Sequence, residues 1–342
     1  MGKTEELLEI LRRELMEGCY EPGSRFPSEH KLMARFNAAR TTINKITMQL
    51  AGEGLIEHRK KGSGTYVAES LPFPAGHLAY LGPVGHPYYC KIVDGIQRAA
   101  FLRNYALSIF SPGEDMVYYC LDRIRHSRFR GLLACNIGII PDPFPMPVVY
   151  VDNGYETGPR VRASVTCTNY RGAAELAEAV IAHGHREIVI CSHYIEVERR
   201  RADRIQGFTD VLQKYGIGDI SRRVFHEPIQ SAASARFLLK RILKQFPETT
   251  VIMADSDNVA SLLLQGMPDP ETARRITITG YGNLAFNGSL LRIPGVEQHP
   301  GEIGLQSVGE LFRMMEEPDY CASEPLEIET ELVNLDKIPY LR

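Results

Sequence analysis

Residues 39–50 read ARTTINKITMQL, with Ile43, Ile46 and Leu50 at helical spacing and Arg40, Thr41, Asn44 and Lys45 on the other side. Those residue types suit nucleic acid. An arginine can make two hydrogen bonds to guanine O6 and N7, and an asparagine the same to adenine N6 and N7. Thr41 and Thr42 can donate to phosphate oxygens, helped by the positive end of the helix dipole, and Lys45 adds charge. The charge distribution agrees. Residues 25–66 hold eight Lys/Arg against three acids, a local net of +5 in a chain whose total is −3, so the remainder carries −8. A basic island on an acidic body is the charge plan of a nucleic-acid-binding head on a larger domain.

The residues around this stretch supply its frame. Leu7, Leu8, Ile10, Leu11 and Leu15 predict an amphipathic helix over 4–17. Gly18, Pro22, Gly23 and Pro27 break it, and Ser28 stands where an N-cap belongs, before EHKLMARF with Leu32 and Phe36 inward. NAA makes a turn into the third helix. Strands over Leu55–Arg59 and Thr65–Ala68 then flank Gly62-Ser63-Gly64 as a hairpin with the basic tip Lys60-Lys61-Gly62. The order over residues 1–68 is that of a winged helix-turn-helix, which sets its recognition helix in the major groove. Residues 69–77 form a short linker stiffened by Pro72 and Pro74.

From residue 78 to 342, strands and helices alternate, which predicts an α/β fold of parallel sheets covered by helices. There are too many units for one small sheet. Two Rossmann-like lobes are expected, dividing near 166, with the chain crossing back near 295 and 322 and ending in one strand, LEIETELVNL. Such sheets present ligands at the carboxyl ends of their strands. The cleft should therefore draw on Gly85–Tyr89, Cys135–Asn136, Asp152–Asn153, Ser192–Tyr194, Asp255–Asp257, Tyr281–Asn283 and Gln298–His299.

Composition narrows the function classes. The chain has 342 residues, 24% charged and 44% hydrophobic, which is ordinary for two or three globular domains. Seven scattered cysteines with no Cys-x-x-Cys pair argue against a disulfide framework or zinc ribbon and suit a reducing compartment. MGKTEELLEI has no apolar signal core and no apolar run reaches membrane-spanning length, so a cytoplasmic protein is expected. His183 and His185 stand at one end of a strand and Cys191 and His193 at the other, roughly 20 Å away, too far to share a metal ion. GYGNLA at 280–285 mimics a nucleotide fingerprint, but the residues after it make a poor helix. No P-loop or nucleophile elbow occurs. No cofactor, metal or catalytic residue is expected.

PSEHKLMARFNAARTTINKITMQLAGEGLIEHRKKGSGTYV resembles the DNA-binding domain of the GntR family, whose pattern is P-S-E-R-x-L-A, S-R-x-T-V-R-x-A-L, L-x-x-E-G-L-I and G-x-G-T-F-V. The resemblance implies DNA contacts from Arg40, Thr41, Thr42, Lys61 and Gly62, with Ser28, His30, Lys31, Asn44 and Lys45 on the same face. His30, Ala39 and Asn44 replace the family's Arg, Ser and second Arg, which points to a different operator from the family's commonest one. The remainder resembles the effector domain of LacI/GalR regulators, a periplasmic-binding-protein-like fold. The supporting stretches include GPVGHPYYCKIVDGIQRAA, MPVVYVD, NYRGAAELAEAVIAHGHREI, RIQGF, ADSDNVA and ITITGYGN. A GntR head on a LacI-like body is similar to the arabinose-regulator architecture.

On this resemblance His86, Tyr88, Tyr89, Arg204, Tyr281 and either Asp255 or Asp257 would contact the effector. Gly282 and Asn283 stand where sugar-binding members often carry Asp. The expectation is a homodimeric, sequence-specific repressor. It would read a two-fold symmetric operator in double-stranded DNA and respond to a small molecule, a sugar or sugar derivative such as a monosaccharide being favoured. A solute receptor with no DNA role, or an enzyme with a regulatory head, are the rivals.

Overall fold

The computed structural model describes the whole chain except residues 1–2, 17, 60–63, 70–73, 142, 194–198, 287–288 and 342. The head consists of α1 (Lys3–Met16), α2 (Glu29–Phe36), α3 (Arg40–Gly52) and the antiparallel pair β1 (Ile56–His58) and β2 (Thr65–Val67). The apolar stripe of α1, with Leu11 and Leu15 fully buried, closes over Leu32, Ile43, Ile46, Leu50 and Val67. Asn37 ends α2 in the left-handed region (φ 44°), which turns the chain directly into α3.

The first lobe is built from β3 (Gly76–Leu81), α4 (Pro87–Leu102), β4 (Tyr105–Phe110), α5 (Val117–Arg125), β5 (Gly131–Cys135), β6 (Val148–Val151) and β7 (Ser164–Cys167). The second contains α6 (Asn169–Ala182), β8 (Ile188–Ser192), α7 (Arg199–Lys214), α8 (Ile220–Arg223), β9 (Val224–His226), α9 (Ala232–Gln245), β10 (Val251–Ala254), α10 (Asp257–Gln265), α11 (Pro270–Arg275) and β11 (Thr277–Tyr281). A hairpin, β12 (Ala285–Phe286) and β13 (Ser289–Leu290), follows, then β14 (Gly295–Glu297). The chain returns to the first lobe for α12 (Pro300–Glu316) and β15 (Leu326–Ile328) and finishes in the second with β16 (Glu331–Val333).

Each lobe holds a six-stranded sheet, ordered β15-β7-β6-β5-β3-β4 and β16-β14-β11-β10-β8-β9. All pairings are parallel except β14 with β16. Strands covered on both faces need unbroken apolar runs, and GLLAC (β5) and IVICS (β8) are buried at every position. Helix α12 seats on α4 through backbone-to-backbone contact. A Cβ on Gly95 would lie 2.0 Å from the Gly301 carbonyl oxygen, and one on Gly304 would lie 2.1 Å from that of Ile92.

Two local expectations change, and one about the glycine turn at 280–283 holds. LEIETELVNL is two strands in different sheets, not one, because the chain leaves the first sheet after Ile328 and joins the second at Glu331. The last crossing therefore falls at 329–330, not near 322. Residues 318–322 still belong to the first lobe, where Arg162 donates to the Tyr320 carbonyl (2.9 Å) and accepts from the Ala322 N–H (2.8 Å). After GYGN comes the β12–β13 hairpin, so no helix N-terminus stands behind that glycine turn. Among the described residues no helix is long and apolar enough to cross a membrane.

Candidate functional site

Between the lobes lies a cavity of about 170 Å3, lined by His86, Tyr88, Tyr89, Arg204, Ser256, Asp257, Asn258, Tyr281, Leu284 and Gln298. The N-terminus of α4 supplies one wall. His86 caps that helix by accepting from the Tyr88 N–H (3.2 Å), and Pro87 occupies its first turn. Tyr88 and Tyr89 pack edge to face, with ring centroids 5.5 Å apart. The Tyr88 hydroxyl donates to Asp152 Oδ1 (2.9 Å) and accepts from Gln298 Nε2 (3.3 Å), so the wall is fixed before any ligand arrives.

The opposite wall is Arg204 on α7, 5% exposed. Its Nε donates to Asn169 Oδ1 (2.7 Å) and its Nη1 to the Asp255 carbonyl (2.9 Å), while the guanidinium lies 4.2 Å from the centroid of the Tyr281 ring. Tyr281 in turn donates its hydroxyl to the Asn169 carbonyl (3.0 Å). It thus serves as a platform for the arginine rather than as a free donor.

The two carboxylates left open by the sequence separate. Ser256 caps α10, which puts Asp257 at the first helical position and in the cavity wall. Asp255, at the end of β10, does not line the cavity. It is fully buried and takes hydrogen bonds from Ser192 (2.7 Å) and Ser256 (3.1 Å), so its place among the effector contacts is corrected to a supporting one. Burial pushes the Asp257 carboxyl up to about 6, opposed by the N–H groups of Leu284 and Tyr281, with nearby Glu297 raising it and Arg204 lowering it. Asn283 is engaged with Glu297 Oε2 (2.9 Å).

Asn258, Leu284 and the anchor Asn169 were not expected. Asn169 follows β7 by two residues and could have been found by the rule that ligands gather past strand ends. Tyr194 lies outside the described residues. Each histidine of the rejected metal cluster has its own partner: His183 with the Ala179 carbonyl, His185 with Thr250 and the Pro339 carbonyl, His193 with the Ile229 N–H. Among the described residues no group of three or more His, Cys, Asp or Glu could hold a metal ion.

On the head, α3 starts at Arg40 after Ala39, whose side chain accepts no capping bond; the Thr42 N–H turns back to the Ala39 carbonyl (3.0 Å), which leaves the Arg40 and Thr41 N–H groups for an outside acceptor. Arg40, Thr41, Asn44 and Lys45 are exposed and Thr42 is half-buried. Among the described residues Arg40, 79% exposed along its side chain, pairs with Glu29 Oε2 at 3.2 Å from Nε. Ser28 caps α2 through the Lys31 N–H (3.4 Å), and His30 and Lys31 are exposed beside it. Other cations of the basic island serve the frame: Arg35 binds Glu14, and Arg59 binds Glu57 and Glu69. Lys61 and Gly62 lie outside the described residues.

The head and the body each match a known family. Residues 3–67 match "Bacterial regulatory proteins, gntR family", and residues 79–287 match "Periplasmic binding proteins and sugar binding domain of LacI family". The chain is 22% identical over 337 residues to the arabinose metabolism transcriptional repressor of Geobacillus stearothermophilus, covering 89% of this chain and 88% of that relative. It is similar in fold to the transcriptional regulator CelR in complex with cellobiose (TM-score 0.64, 16% identity, 90% of this chain and 98% of that one). It is also similar to a LacI family transcriptional regulator from Enterococcus faecium with bound ribose (TM-score 0.62, 17% identity, 78% and 100%). The chain belongs to the LacI-type periplasmic-binding-protein family and carries a gntR-type helix-turn-helix at its N-terminus, which makes it a ligand-responsive transcriptional regulator.

Proposed function

We propose that the protein is a repressor that grips a two-fold symmetric operator as a homodimer and releases it when a small sugar or sugar derivative closes the cleft. The observation that carries this reading is the pairing of two unlike sites on one chain. An uncapped, exposed cationic helix start is tethered to the first lobe, and a preorganised cavity of about 170 Å3 lies between that lobe and the second. Such a cavity is well below the roughly 300–1,000 Å3 of sites for drug-sized ligands and suits a monosaccharide-sized molecule. The relative from Geobacillus stearothermophilus is named for arabinose metabolism, and the bound ribose and cellobiose of the similar structures point the same way.

A single head offers few phosphate contacts, so two are needed to read a palindrome. The first lobe has a surface suited to pairing. Phe101 and Leu102 at the end of α4, Ile109 on the edge strand β4, and Tyr118 and Tyr119 on α5 are all exposed. A ligand can release DNA only if it binds the DNA-free form better. Mobility shifts on the region upstream of the protein's own gene, with added salt and with a sugar panel, test the reading. Binding should weaken steeply with salt, as phosphate contacts require, and a bound sugar should release the fragment. Indifference to every fragment at low ionic strength refutes it.

A further inference from the structure

We propose that the effector carries a carboxylate: a monosaccharide-sized polyhydroxy acid, such as an aldonic or uronic acid, whose carboxylate is the counter-ion of Arg204. The proposal rests on reading the interlobe cavity as the effector site.

Arg204 is a cation held almost entirely away from water by neutral groups. Its partners are a carboxamide oxygen, a peptide carbonyl and an aromatic face. Among the described residues no carboxylate forms an ion pair with it. Asp255 turns its carboxylate to Ser192 and Ser256 and meets the guanidinium through its backbone oxygen. Asp257 spends its carboxylate on the N–H groups of Leu284 and Tyr281. Among the described residues Nη2 of Arg204 has no hydrogen-bond acceptor, and the residue lines the cavity. A buried charge without a counter-ion is costly, and a planar carboxylate is the partner that matches a guanidinium fork.

The backbone adds to the pull. The first turns of α4 and α10 contribute His86, Tyr88, Tyr89, Ser256 and Asn258 to the cavity, and Gln298 sits just ahead of α12. Helix N-termini present partial positive charge, which favours an anion. The charge should be single. A phosphate monoester, at about −1.5 to −2, would set nearly two negative charges against one guanidinium with Asp257 in the same wall. A carboxylate brings one, and Asp257 is poised to accept a proton as it arrives. Asn258 and the amide oxygen of Gln298 line the cavity for hydroxyl groups, and the Tyr88 and Tyr89 rings for the C–H faces of a small polyol.

Calorimetry on the full chain at neutral pH, with D-gluconate and D-galacturonate set against D-glucose, D-galactose and L-arabinose, tests this. At least one acid should bind at least about tenfold more tightly than its parent aldose. R204Q should close that gap, while R204K, which keeps the charge, should preserve its direction; circular dichroism on each variant checks folding. Aldoses binding as tightly as their acids, or a folded R204Q that keeps the preference, would overturn the proposal and leave the sugar-responsive repressor standing. If neither class bound while the protein still held its operator, the proposal and the sugar reading of the cleft would fall together, and the DNA reading alone would survive.

Discussion

Two arginines show how differently the two ends of this molecule prepare for a partner. Arg40 stands in water, 79% exposed and touched by one carboxylate, while Arg204 is 5% exposed and fixed by three neutral groups. The first can swing to meet a duplex that brings a strong field of its own. The second has already lost its hydration and rotamer freedom during folding, so its ligand bears little of that cost. Exposed charge gives rate and salt sensitivity, whereas buried charge gives selectivity.

The largest effect that would test this contrast comes from removing the buried member. Arg204→Ala should weaken effector binding by about 2–5 kcal/mol, seen by calorimetry, with the free protein still binding DNA. Loss of DNA binding as well would mean that the two sites are not separable.

Asp257 comes next. Its folded-state pKa of about 6 lies above the ordinary 3.8, so the folded protein holds a proton that the unfolded chain has released. Stability from this group is therefore greatest at low pH and falls as pH rises from about 4 through about 6, by up to about 3 kcal/mol. D257N should flatten that slope in urea midpoints measured across this range.

Arg40→Ala should cost about 1–3 kcal/mol in specific operator affinity by mobility shift, with calorimetric effector binding unchanged. The smallest effect is expected at its tether. Glu29→Gln frees Arg40 from an exposed ion pair worth about 0.2–1 kcal/mol, so operator affinity should move by less than about tenfold, and less again in high salt. A larger change would mean that Glu29 touches DNA itself.

The head was legible because its contacts are local. Ser28 before EHKLMARF, the NAA turn and the Ile43/Ile46/Leu50 stripe each sit within a few residues of what they control. The body was legible as strand–helix alternation, since covered parallel strands must be apolar throughout. What escaped depends on distant neighbours. Asp255 and Asp257 differ only in which side of the Ser256 cap they occupy, and a capping argument could have separated them. The break at Glu329–Thr330 leaves no mark in LEIETELVNL, because both halves have strand character and only the two sheets divide them. Asn169 carries no signal of its own, since its role exists only once α7 brings Arg204 alongside.

The double-sheet ending of the chain has a mechanical result. Three segments pass between the lobes, at 168, 298–299 and 329–330, and Thr330 is laced to Thr168, its N–H donating at 3.0 Å and the two hydroxyls meeting at 3.1 Å. Side-by-side straps of this kind act like the pins of a door: they let the halves swing about one line and resist sliding or spinning. The head enters the molecule through β3, and Glu9 of α1 is braced by Arg130 of the first lobe at 2.6 Å. A swing of that lobe would therefore reach the reading head through this ion pair as well as along the chain.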